Sequence, residues 1–195
     1  MHKTLLLLLL STLTSCLNTD ELNLNKYEYF ILEPEVLLPF VQIDLSDKFY
    51  DEINADISIT EKVIDMDIDT FEDLKLSDNV KRIDFNFNAI NGYPIRFDNI
   101  SVIFMDKNDA FLEQIILNDI GAAKLKSDGS LESPTIKKFQ YIFYSSSIAN
   151  IEKTRRVRVI ISWKGNTIPY PLHHDSFYFN LNSDLVLKTS IDVGK

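Results

Sequence analysis

The chain has 195 residues and a formal net charge of −9, with 45% hydrophobic residues, 25% charged residues, five glycines, six prolines and one cysteine. The apolar content excludes a disordered tail, and five glycines are too few for a collagen-like chain, a Gly-rich linker or most glycine-built phosphate cradles. A single cysteine excludes an internal disulfide framework and a Cys-rich zinc cluster.

The first sixteen residues read MHKTLLLLLLSTLTSC. His2 and Lys3 form a short positive start, and Thr4 to Leu13 is an apolar stretch containing six consecutive leucines. Such a stretch is too short to span a bilayer as a helix, which takes about 20 residues, but it suits the apolar region of a secretory signal. It ends in Leu13-Thr14-Ser15-Cys16, which resembles the lipobox of bacterial lipoproteins. In that family the cysteine is acylated, the preceding peptide is removed and the cysteine becomes the new N-terminus. The resemblance therefore implies lipidation at Cys16, an outer-membrane address with the membrane face undetermined, and a signal peptide over residues 1–16. Two or more acyl chains suffice for a stable anchor.

Residues 17–26 are polar and aperiodic, as in a tether between anchor and domain. Asp20 and Glu21 resemble, weakly, the acidic residues that send lipoproteins to the cell surface in some bacteria. Charge is uneven along the mature chain: residues 17–120 hold 23 acidic and 8 basic residues, residues 121–195 hold 6 acidic and 11 basic. The expectation is that the two halves interleave in one fold and neutralise each other. The acidic balance argues against nucleic acid as a partner.

From Tyr27 onward, period-two alternation dominates. Ile64, Met66 and Ile68 alternate with Asp65, Asp67 and Asp69; Ile83, Phe85 and Phe87 alternate with Asp84, Asn86 and Asn88. Val157, Val159, Ile161 and Trp163 share one parity, as do Leu185, Leu187, Thr189, Ile191 and Val193. These are strands with one face on a core and one in water. Asn91-Gly92, Asp128-Gly129 and Gly165-Asn166 are dipeptides suited to tight hairpins. Apolar parity switches between Phe97 and Ile100, which predicts a bulge or break near Asp98-Asn99. Helical signals are short: Ser46 to Ile53, Thr70 to Leu76, and Ser147 to Glu152 as a turn crossing from one sheet to another.

The fold expected is mainly β: an antiparallel β-sandwich, immunoglobulin-like, with a few short helices. Residues 80–195 would form the sandwich, and residues 27–79 an N-terminal β subdomain or strands added to it.

Chemistry is sparse. The sequence has no G-x-S-x-G, no G-x-x-x-x-G-K-[ST] and no H-E-x-x-H. The lipobox reading removes Cys16 as a nucleophile. Asp65-Met66-Asp67-Ile68-Asp69 has D-x-D-x-D spacing, but an EF-hand starting there needs Gly and Glu where Thr70 and Leu76 stand. No metal and no cofactor are expected. His173 and His174 lie in a proline-flanked loop, and adjacent residues of an extended chain point apart, which makes them poor joint ligands. Tyr170, between Pro169 and Pro171, is the better contact residue. The cluster Lys153, Arg155, Arg156 and Arg158 either binds an anionic glycan or forms the solvent face of a strand paired with acidic neighbours. The candidate binding residues are thus Tyr170, His173, His174, Arg155 and Arg156, and no catalytic residue is assigned. The expected role is a non-catalytic binding or adhesion module whose partners are the membrane, through its anchor, and a glycan or protein. The alternatives are a periplasm-facing assembly subunit and an envelope hydrolase using paired carboxylates.

Overall fold

A computed structural model describes residues 31–32, 35–46, 49, 60–69, 71, 75–164, 177–189 and 191–192. Two minimal strands, β1 (Ile31–Leu32) and β12 (Ile191–Asp192), form an antiparallel ladder of their own, with Ile31 opposite Asp192 and Leu32 opposite Ile191.

The rest is built from β2 (Glu35–Leu45), β3 (Glu61–Asp67), α1 (Leu76–Asn79), β4 (Val80–Asn91), β5 (Phe97–Met105), β6 (Phe111–Ile120), β7 (Lys124–Leu125), β8 (Leu131–Ser133), β9 (Thr135–Tyr144), α2 (Ser145–Glu152), β10 (Arg156–Trp163) and β11 (Phe179–Thr189). One sheet has the order β2-β11-β4-β9 and the other β3-β10-β5-β6, and every pairing is antiparallel. A small β7-β8 hairpin stands apart from both. The β-sandwich is as the alternation predicts.

Its wiring corrects the immunoglobulin-like expectation. Every connection among the eight long strands except β5 to β6 passes from one sheet to the other. Two four-stranded sheets joined in this way form a jelly roll. An immunoglobulin sandwich divides its strands differently, as ABED and CFG. Strand periodicity is identical in the two folds, so the alternation could not separate them. β2 and β3, from the 27–79 segment, pair with β11 and β10 respectively.

The turn at Asn91-Gly92 shows why the wiring was missed. Its dipeptide favours a hairpin, yet β4 and β5 lie in different sheets. Asn91 is fully buried and acts as a clamp. Its Nδ2 donates to the carbonyls of Ile95 (2.7 Å) and Gly121 (2.8 Å), while its Oδ1 accepts from the Tyr93 N–H (2.9 Å). The Gly92 N–H donates to the Tyr178 carbonyl at 2.8 Å, and a Cβ at Gly92 would stand 2.9 Å from that same oxygen. Glycine is required here for close approach between backbones. Asp128-Gly129 does close a hairpin, β7-β8, with Gly129 at φ 83°. The β5-β6 hairpin instead turns at residues 106–110, where Asp109 adopts φ 62° and the Asp106 carboxylate accepts the N–H groups of Asn108 (2.7 Å) and Ala110 (3.0 Å). Aspartate bonding to its own turn replaces the glycine signal. Gly165-Asn166 lies outside the described residues.

The parity switch appears as predicted. Ser162 pairs with Asn99 and Trp163 with Phe97, which leaves Asp98 as the extra residue of a bulge in β5. Phe97 and Ile100 can both face inward for this reason, and both are fully buried. A second bulge in β2 leaves Phe40 unpaired between Pro39 and Val41. Phe40 packs into the core, stacked on Phe104 (centroids 5.7 Å, 14° between planes) and edge-on to Phe85 at 5.1 Å. Aromatic contacts continue through Phe143, Phe97, Phe179 and Trp163 and knit the two sheets into one core.

α2 carries the chain from β9 in one sheet to β10 in the other, as the Ser147–Glu152 reading predicts. The Glu152 carboxylate accepts the Ser77 N–H at 2.8 Å and ties α2 to α1. That hydrogen bonding holds Glu152 below the ordinary range for its type. Of the expected Ser46–Ile53 helix only Ser46 and Phe49 are described, and most of the Thr70–Asp73 turn lies outside the described residues.

Candidate functional site

Cys16, Tyr170, His173 and His174 lie outside the described residues. Arg155 and Arg156 are described and line one polar cleft of about 390 Å³ with Asp67, Asp69, Asp106 and Lys107. Their guanidinium groups are occupied by the fold. Arg155 Nη1 donates to the carbonyls of Glu152 (3.0 Å) and Thr154 (2.8 Å), covering groups left open at the end of α2. Arg156 donates from Nε to Asp67 (3.2 Å) and from Nη1 to Asp109 (2.5 Å).

The register explains these pairs. Arg156 stands opposite Asp67 and Arg158 opposite Asp65 on the antiparallel β3-β10 ladder. Arg158 holds Asp65 through two bonds, Nε to Oδ1 at 2.7 Å and Nη2 to Oδ2 at 3.0 Å. That bidentate contact lowers the Asp65 carboxyl below its ordinary value, and the same pairs raise Arg156 and Arg158 above theirs. Asp65 and Asp67 of the D-x-D-x-D row and Arg158 and Arg156 of the basic cluster are therefore two sides of one ladder, as the strand-pairing reading predicts. The two halves of the chain also neutralise each other elsewhere. Lys188 bridges Glu35 at 2.7 Å and reaches Asp84 at 3.9 Å.

A second recess of about 560 Å³ lies on the outer face of the β2-β11-β4-β9 sheet, lined by residues that include Asn86, Asn88, Lys138, Gln140, Asn182 and Asp184. Alternation and register build it together. Phe85, Phe87, Leu181 and Leu185 face the core, so the residues between them face out. Across the sheet, Gln42, Asn182, Asn88 and Lys138 form one row. Pro39, Asp184, Asn86 and Gln140 form the next. Five carboxamides thus stand on four strands within two adjacent rows.

These side chains are little used by the fold. Gln42 donates to Asp44 at 3.2 Å. Among the described residues, the side chains of Asn86, Asn182, Gln140 and Lys138 make no hydrogen bond. The Asn88 Oδ1 is shielded from solvent and likewise has no partner. Apolar side chains flank the trough within mixed rows: Ile90 and Ile136 stand beside Asn180 and Asp44 on one side, and Leu37, Val186 and Ile142 beside Asp84 on the other. Ile136 is 59% exposed, and beyond Ile142 comes Tyr144 at 55%. A charge cluster closes that end, where Arg82 holds the nearly buried Asp84 in a bidentate pair.

The sequence reading missed this trough. Its signal was present in the N-x-N spacing on the polar parity of two strands, Asn86-Phe87-Asn88 and Asn180-Leu181-Asn182. Only the strand order places the two side by side.

No protein-family model matches the chain, and no curated protein matches it. Among solved structures, a putative secreted protein from Parabacteroides distasonis is similar at 12% identity with a TM-score of 0.43, covering 65% of this chain and 37% of that one. The infectious bursal disease virus VP2 subviral particle is similar at 7% identity with a TM-score of 0.34, covering 83% of this chain and 32% of that one. This chain thus spans about a third of the length of those proteins. Likenesses this distant assign no function.

Proposed function

We propose that the chain is an envelope lipoprotein, anchored at the outer membrane through Cys16 and tethered by residues 17–26, whose jelly roll acts as a non-catalytic binding module. The lipobox resemblance supports the anchor. The observation that carries the binding role is the outer face of the β2-β11-β4-β9 sheet, where polar side chains converge without being used to hold the fold. Exposed amides that the fold does not engage are hydrogen-bonded to water, which a ligand with matching donors and acceptors can displace, and the shielded Asn88 Oδ1 has no partner at all.

Protease treatment of intact cells tests the reading, with Cys16→Ala as the unanchored control. The expected result is loss of the domain from intact cells and release of the Cys16→Ala chain from the membrane fraction. A domain that is protected until the cells are permeabilised would contradict surface capture and point to a periplasm-facing assembly role. A Cys16→Ala chain that stays membrane-bound would contradict the anchor.

A further inference from the structure

The geometry points to a neutral, unbranched oligosaccharide as the ligand of the amide trough. This rests on the binding-module reading and names its ligand class.

Each carboxamide offers donors and an acceptor on one planar group. A sugar hydroxyl is likewise both donor and acceptor, so facing rows of Asn and Gln match rows of hydroxyls in either orientation. Charge selects against other ligands. The trough contains one cation, Lys138, and one anion, Asp184, so it has no net charge to attract a polyanion. Arg156 and Arg158 are paired with acids on the opposite sheet, and Arg82, at the end of the trough, is taken up by Asp84. A peptide adding to the sheet would use the backbone of an edge strand, whereas the trough centres on the outward side chains of β4, an interior strand, with β11 and β9 on either side.

Size and flanks agree. The three lining strands at about 4.8 Å spacing and two rows about 7 Å apart give a footprint of roughly 10 by 7 Å, elongated across the strands. Ile136 and Ile142 border the rows, and Tyr144 lies four residues from Gln140 on the same outward parity of β9. Pyranose rings carry apolar C–H faces, and exposed aliphatic and aromatic side chains cover such faces while amides take the hydroxyl edges.

The test is an NMR titration of the purified full-length chain, read at its side-chain amide signals. The probes are linear hexasaccharides of glucan, xylan and mannan, with a heparin fragment as the anionic probe. The expected result is movement of the Asn86, Asn88, Asn182 and Gln140 signals with at least one neutral probe. Asn182→Ala and Gln140→Ala should each weaken that binding about tenfold, as loss of one well-made hydrogen bond does. Both residues are exposed, so the fold is retained. Binding confined to heparin, binding by no probe, or probe-free shifts that grow with protein concentration would overturn the proposal. Shifts from a neutral probe that fall only outside the trough would overturn it too, while leaving the binding-module reading intact.

Discussion

On the outer face of the β3-β10-β5-β6 sheet, Asp65 and Asp67 stand across from Arg158 and Arg156, and every one of these groups is bonded to its neighbour. On the outer face of the β2-β11-β4-β9 sheet, Asn86, Asn182 and Gln140 make no side-chain hydrogen bond to a described residue. Both faces are polar and both grow from strict alternation. The difference is that complementary charges were placed in register on one face, whereas on the other like amides were placed beside one another. A ladder of opposite charges closes on itself and presents little to a partner. A ladder of amides leaves donors and acceptors open.

The sharpest way to break this contrast is at Asn91, an amide used entirely by the fold. Replacing it with Ala leaves two carbonyls and one N–H without partners at the β4-β5 crossover. We expect a loss of about 2–3 kcal/mol, read as a lower denaturation midpoint in urea. An unchanged midpoint would show that the crossover does not depend on the clamp.

An intermediate effect is expected on the charged face. The Asp65 carboxyl is lowered in the folded state by its bonds from Arg158. The stability from that pair is complete above the ordinary aspartate range, near about 3.9, and is lost as pH falls through the lowered value. The stability difference between the native chain and Arg158→Ala should therefore shrink on acidification, and also in high salt, because the pair is exposed. A difference independent of both pH and salt would contradict the ladder as an electrostatic device.

The smallest effect belongs to the trough. Asn182→Ala and Gln140→Ala should each change stability by less than about 0.5 kcal/mol, the range of surface substitutions that remove no contact. A large destabilisation in either would mean that the amides serve the fold after all.

Much of this architecture was legible in the sequence, for local reasons. Burial on alternate residues fixes which side chains of β3, β4, β10 and β11 face the core, and the shift between Phe97 and Ile100 required the extra residue now seen at Asp98. The basic cluster suggested a strand face paired with acidic neighbours, because opposite charges on strands attract, but which acidic residues would stand opposite it was not legible. Sheet membership was not legible. Alternation is the same whether a strand turns back beside its neighbour or crosses to the other sheet, and Asn91-Gly92 looks like a hairpin until the buried Asn91 side chain is seen holding Ile95 and Gly121. The trough was hidden for a related reason. Its residues come from positions 42, 86 and 88, 138 and 140, and 182 and 184, and only long-range register unites them.

Side-chain amide hydrogen exchange in the full-length chain tests the central claim most directly, because it asks each carboxamide whether the fold has engaged it. Strong protection is expected at Asn91, and exchange at the rate of a free amide at Asn86, Asn182 and Gln140. Protection of the trough amides comparable to that of Asn91 would contradict it.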